Sequence, residues 1–137
     1  MKIIGIGTDL VSVARIKTIW ERFGHAFAKR ILTPNEMEEL ALVKNPIAFL
    51  AKRYAAKEAL AKALGTGFRP NGILLTEIGV LKDPLGRPYL HFRGRTEAEI
   101  KHRQVTESHL SISDEAEFAL AYVILVGVDA RSASGGF

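Results

Sequence analysis

Ile3, Ile4 and Ile6 interleaved with Gly5 and Gly7 predict a short buried strand over residues 2–7, with glycines where another backbone can approach closely. Asp9 then falls just past its end. Ile16, Ile19, Trp20 and Phe23 recur at helical spacing, so a helix runs from a Ser12 cap to Phe23, and Gly24 suits its C-terminal turn. Thr33-Pro34-Asn35-Glu36 joins a capping hydroxyl, a proline suited to the first helical position and a glutamate placed for a capping box. That helix ends before Asn45-Pro46, which opens the next over about residues 46–64. Strong helix formers run from Ala55 to Lys62, and small apolar residues occur almost all round this segment, so the fold encloses it. Gly65-Thr66-Gly67 stops it.

Beyond a turn at Pro70-Asn71-Gly72 the pattern becomes strand-like. Residues 75–81 and 87–92 flank a hairpin turn at Asp83-Pro84-Leu85-Gly86. Thr96-Glu97-Ala98-Glu99 predicts a capping box opening a short polar helix. Residues 109–113 and 118–126 flank Asp114-Glu115, and the last strand is apolar enough to be central. Helices followed by mostly antiparallel strands give an α+β class, with a sheet packed on a long central helix. One domain over residues 1–126 is expected, with 127–137 a frayed tail.

The 137 residues suit one domain, and 47% apolar with 25% charged residues is ordinary globular usage. The absence of cysteine excludes disulfides, a thiolate nucleophile and Cys-based metal sites. The apolar run 118–128 is too short to span a bilayer and the amino terminus lacks a secretory pattern, so a soluble cytoplasmic protein with no membrane partner is expected. The net charge of +4 is uneven: residues 1–30 and 46–72 are each +4, whereas 31–45 and 73–137 are each −2. Two basic segments suggest an anionic partner, or simply solvated helix faces. A small basic nucleic-acid-binding module is the rival reading, but no zinc finger, RNP-type aromatic pair or dense basic stretch supports it.

Asp9 and Glu58 stand out as carboxylates in apolar surroundings. Glu58 needs a cation if buried. Lys62 lies four residues on in the favourable order, and Lys57 and Arg53 are near in sequence, so a plain Glu58–Lys62 helix pair is one reading. The other has Asp9 and Glu58 holding a hard divalent cation while basic residues hold phosphates. Gly65-Thr66-Gly67 is a helix stop or a set of N–H donors for an anion. It is not a P-loop, and no Gly-x-Ser-x-Gly elbow exists. His109 stands among serines in a strand, and His25, His91 and His102 lack metal-ligand spacing.

Three blocks together carry a resemblance. Ile4-Gly5-Ile6-Gly7-Thr8-Asp9-Leu10-Val11 precedes Arg15-Ile16. Phe27-Ala28-Lys29-Arg30-Ile31-Leu32-Thr33 precedes Glu36. Phe49 to Ala59, containing Lys57-Glu58-Ala59, continues through Lys62 to Gly65-Thr66-Gly67. In order and spacing they resemble the small single-domain 4′-phosphopantetheinyl transferases, the holo-[acyl-carrier-protein] synthases, over about residues 2–126. The resemblance implies a 4′-phosphopantetheinyl transferase-like fold. It also implies Mg²⁺-dependent transfer of phosphopantetheine from coenzyme A to a serine of apo acyl carrier protein, serving fatty acid biosynthesis. Homotrimers with an active site at each subunit interface are implied too, and no nucleic acid partner. Carried over by position, Asp9 and Glu58 match metal ligands and, with Lys62, the catalytic set. Arg53, Lys62, Gly65, Thr66, Gly67, Pro88 and His109 match the coenzyme A pocket. Arg15 and Arg22 match the face that meets the acidic carrier. Many relatives have Ser-His-Asp-like residues where this chain has Ser113-Asp114-Glu115, so the resemblance assigns no general base there. Glu58, a metal-bound water and His109 are the candidates for the serine proton.

Overall fold

The structure, a computed structural model, describes residues 1–68 and 72–128. Residues 70 and 71 of the expected turn and 129–137 of the expected tail lie outside the described residues. A strand β1 (Lys2–Ser12) leads into helices α1 (Val13–Phe23), α2 (His25–Ile31), α3 (Pro34–Leu40) and α4 (Pro46–Leu64). A 3-10 turn (Leu75–Glu77) follows, then β2 (Ile78–Lys82), β3 (Pro88–Phe92), α5 (Gly94–His102), β4 (Val105–Asp114) and β5 (Phe118–Gly127).

The main sheet is antiparallel in the order β1-β5-β4, which puts the apolar β5 in the centre, and β2 and β3 form a separate antiparallel pair. Its inner face packs on α4 through Ala119, Ala121, Val123 and Leu125. Its outer face leaves Ile6, Leu10, Leu120 and Tyr122 exposed, with Leu10 directly opposite Leu120.

β1 is longer than its apolar run suggests. Residues 8–12 continue the ladder, and Asp9 sits inside the strand opposite Ala121 rather than past its end. Pairing with β5 extends the strand through polar positions that alternate between the two faces. The strand also lies unusually close to α4. A Cβ built on Gly5 would lie 1.9 Å from the Ala63 carbonyl oxygen, and one on Gly7 would lie 2.1 Å from that of Ala59. Glycine is therefore required at both positions for the backbones to meet, as the sequence pattern anticipates.

The cap at Ser12 accepts from Arg15 N–H at 3.2 Å. Gly24, with φ +55°, ends α1 and starts α2, a helix the apolar spacing does not announce. The capping box at α3 forms as expected: Thr33 N–H donates to Glu36 Oε1 at 2.9 Å, and Glu36 N–H to Thr33 Oγ1 at 3.2 Å. Glu36 also does more. Its buried carboxylate accepts from Lys57 Nζ at 2.6 Å and from Val80 N–H at 3.0 Å, joining α3, α4 and β2. Lys57 further donates to the carbonyls of Ile31 and Leu75. Burial lowers the Lys57 pKa, and the Glu36 carboxylate opposes that shift.

The capping box expected at Thr96–Glu99 does not form. α5 starts earlier, after Arg93, and its first turn is capped from outside. Glu77 accepts from Thr96 N–H at 3.0 Å, Thr96 Oγ1 at 2.8 Å and Arg95 N–H at 3.2 Å. A tertiary carboxylate replaces the local one.

The close β1–α4 contact should be intolerant of any side chain. Gly7→Ala is expected to cost about 1–3 kcal/mol and to lower Tm by several degrees in a thermal melt. An unchanged Tm would contradict the contact.

Candidate functional site

Because β1 touches α4, a side chain late in β1 meets side chains on the last turns of the helix. Asp9 Oδ1 accepts from Lys62 Nζ at 2.9 Å. The strand carboxylate thus takes the lysine that helical spacing offers to Glu58, and the plain Glu58–Lys62 pair is not formed. Among the described residues no cation is paired with Glu58. Lys57 and Arg53, its neighbours in sequence, face the buried side of α4.

Asp9 and Glu58 line one cleft of about 280 Å³ together with Arg15 and Tyr54, walled by apolar residues including Leu10, Ile16 and Phe27. Tyr54 precedes Glu58 by one turn of α4 and lines the same cleft. Burial and the neighbouring carboxylates of Glu58 and Asp9 push the phenol up to about 12, while Arg15 pulls the other way. At neutral pH Tyr54 therefore keeps its proton. No group of three or more His, Asp or Glu side chains among the described residues could hold a metal ion. The cleft offers two protein carboxylates, flanked by the positive charges of Arg15 and Lys62.

At the end of α4, Gly65 and Gly67 have φ of +74° and +64°, a left-handed backbone that favours glycine. Gly65 N–H closes the helix onto Ala61 O at 2.9 Å and Lys62 O at 3.1 Å. Between the glycines, Thr66 Oγ1 is buried and, among the described residues, has no hydrogen-bond partner. Arg103 donates to Leu64 O and so anchors the same turn.

Two residues matched to the coenzyme A pocket lie apart from this cleft. Pro88 and His109 line a second one of about 190 Å³ with Arg87 and Tyr89. There His109 Nε2 lies 3.1 Å from Glu107 Oε2. Arg53 joins neither. Its buried guanidinium lies over the Phe49 ring, with Nε 3.3 Å from Glu36 and a nitrogen 3.3 Å from Glu39. Arg15 and Arg22 are both exposed on α1, and Arg22 covers the exposed Phe23 ring at 5.1 Å. Tyr54, Glu36 and Glu107 were not legible as site or network residues. Only Tyr54 carried a signal, its i+4 spacing to Glu58.

The family model of the 4′-phosphopantetheinyl transferase superfamily matches residues 5–123. The chain belongs to this superfamily. Among relatives of this transferase family, the holo-[acyl-carrier-protein] synthase of Nitrosospira multiformis is 50% identical over 90% of this chain and 98% of its own length. Among solved transferases, the holo-[acyl-carrier-protein] synthase of Neisseria meningitidis has a TM-score of 0.87 at 42% identity, covering 91% of this chain and 99% of that one. The Helicobacter pylori synthase, solved in complex with coenzyme A, has a TM-score of 0.77 at 30% identity, covering 88% and 99%.

The Lys62–Asp9 pair contributes little to stability, because the Lys62 side chain is 55% exposed and such pairs are worth about 0–1 kcal/mol. Lys62→Met should therefore shift Tm by no more than a few degrees while lowering transferase activity. A large loss of Tm in a calorimetric scan would instead make the pair structural.

Proposed function

We propose that this chain is a holo-[acyl-carrier-protein] synthase. It moves 4′-phosphopantetheine from coenzyme A to a serine hydroxyl of apo acyl carrier protein and releases adenosine 3′,5′-bisphosphate. The observation that carries this reading is the cleft shared by Asp9 and Glu58, with Lys62 bonded to Asp9, in a chain half identical to such synthases.

Magnesium fits the donors of that cleft. It is commonly held by one or two carboxylates, with waters and substrate phosphate oxygens completing an octahedron. Asp9 and Glu58 would hold it. When bound, the ion neutralises charge on the pyrophosphate.

The remaining work falls to the chain. The serine oxygen bonds to the phosphorus that carries pantetheine as the bond to the bridging oxygen breaks, and the bisphosphate leaves with that oxygen's charge. Such a transfer needs positioning and charge stabilisation more than covalent help. Lys62 supplies a fixed positive charge beside Asp9. Gly65, Thr66 and Gly67 offer N–H and hydroxyl donors to the coenzyme, and the buried Thr66 Oγ1, without a hydrogen-bond partner among the described residues, supports that role. Glu58 and His109 are the protein's candidates for the serine proton.

The Pro88–His109 cleft is separate from the Asp9–Glu58 cleft within one chain, yet both match parts of one pocket. A homotrimer resolves this by setting one copy's second cleft beside its neighbour's first. The exposed apolar face of the sheet, with Leu10 at 60% exposure, supports that assembly. Arg15 and Arg22 present positive charge to the acidic carrier protein, which steers association. Cytoplasmic placement and service to fatty acid synthesis belong to the same proposal. In keeping with it, no helix among the described residues is long and apolar enough to cross a membrane.

Incubation with coenzyme A, Mg²⁺ and apo carrier protein should add one phosphopantetheine to the carrier, read by intact-mass spectrometry. Asp9→Ala and Glu58→Ala should each lower kcat/KM by roughly 100-fold or more with Tm retained. Near-normal turnover in either variant at saturating Mg²⁺ would remove the metal assignment. Arg15→Glu should raise KM for carrier protein far more than for coenzyme A, and equal effects would move the docking face elsewhere.

A further inference from the structure

The turn that ends α4 is held from outside the helix as well as from within. A helix leaves its last four carbonyls without intrahelical donors. Gly65 N–H meets two of them, those of Ala61 and Lys62, and the Ala63 carbonyl faces Gly5 of β1. The Leu64 carbonyl, where the chain leaves the helix, accepts from the Arg103 guanidinium. Arg103 stands at the C-terminal cap of α5, and its own placement is fixed twice. Its Nε donates to Glu99 Oε1 at 2.9 Å. The next residue, Gln104, has a left-handed φ of +61°, and its carbonyl accepts from Val128 N–H at 3.1 Å, just past β5. We propose that Arg103 is a positioning residue for coenzyme A: by holding Leu64 O it fixes the Gly65-Thr66-Gly67 turn in the shape that presents the Thr66 hydroxyl to the coenzyme. This rests on the reading of that turn as part of the coenzyme pocket.

The turn needs such a hold. Gly65 and Gly67 both take a left-handed φ, and a Cβ added to either would meet nothing within 4 Å. They are open on that side, and glycine is the least restrained of residues. Between them Thr66 Oγ1 is buried and, among the described residues, has no hydrogen-bond partner, so a polar group from outside is what it can receive. A guanidinium on the last carbonyl suits the negative end of α4 as well as the hydrogen bond. Arg103 lines neither the Asp9–Glu58 cleft nor the Pro88–His109 cleft, so its influence on the coenzyme passes through the turn. A turn already in its binding shape spares the ligand the cost of ordering it. If the competent shape fell to about one-tenth of the population, apparent affinity would fall about tenfold.

Arg103→Met keeps an unbranched apolar stem and removes the donor, and Arg103→Lys restores a donor and the charge. Coenzyme A serves as the probe, titrated calorimetrically into the full chain as purified, with Mg²⁺ present. The methionine variant is expected to bind it roughly tenfold more weakly, and the lysine variant to regain most of that loss. In the transfer assay KM for coenzyme A should rise by the same factor, while kcat and KM for carrier protein stay within about twofold. Amide hydrogen exchange at residues 65–67 should quicken in the methionine variant, with β5 unchanged. Should that variant fail to fold, Glu99→Gln, which releases one tether of Arg103 at the surface, carries the test with a smaller loss of about threefold. Coenzyme A affinity equal to that of the unaltered protein would overturn the inference and leave the transferase reading standing. Equal losses in kcat and in both KM values, or no recovery with lysine, would also overturn it, since Arg103 would then belong to the general packing. An unaltered protein that neither bound coenzyme A nor modified the carrier would bring down the transferase reading first and this inference with it.

Discussion

The backbone contact between β1 and α4 is the constraint on which the site depends. Two glycines on the strand face two carbonyl oxygens on the helix, at distances no Cβ could tolerate. Glycine loses more conformational freedom on folding than any other residue, so this closeness is costly in a strand. The return is geometric. A strand pressed this tightly to the helix delivers Asp9 to Lys62 and brings it into one cleft with Glu58, although the two acids are 49 positions apart in the chain.

The same helix sorts its charges by face. Successive residues on a helix turn through about 100°, so Lys57 and Glu58 point to different sides. Lys57 and Arg53 enter the protein and meet Glu36, forming a buried hub satisfied by Thr33, Val80, Ile31 and Leu75. Glu58 and Lys62 stay toward the cleft. The hub ties α3 and β2 to the middle of α4, on a different face from the chemistry. Burying a charged pair is tolerated only when its remaining donors and acceptors are met; Lys57 and Glu36 meet theirs, whereas Arg53 Nε is buried with no hydrogen-bond partner among the described residues.

Much of this was legible in the chain and some was not, for definite reasons. α1, α3 and α4 follow from caps, apolar spacing and helix propensity, which are local signals, and the glycines of β1 announced a close approach. Residues 8–12 of β1 were not legible as strand, because only β5 gives their polar positions a partner. The helical spacing of Glu58 and Lys62 suggested a pair that Asp9 then outcompeted from another element. Glu36 read as a capping residue, which it is, but its second role requires Lys57 to point inward, and nothing in the order of residues says so. The likeness to a known family carried over Arg53 as a pocket residue, and the fold engages it with Glu36 and Glu39. Pro88 and His109 gather in a cleft of their own, a separation visible only in three dimensions.

The account stands on Asp9 and Glu58 sharing one ion, and anomalous diffraction from crystals grown with Mn²⁺ tests this most directly. A single anomalous peak within bonding distance of oxygens from both carboxylates is the predicted result. A peak touching only one of the two, or none at the cleft with Mn²⁺ bound elsewhere, would contradict it.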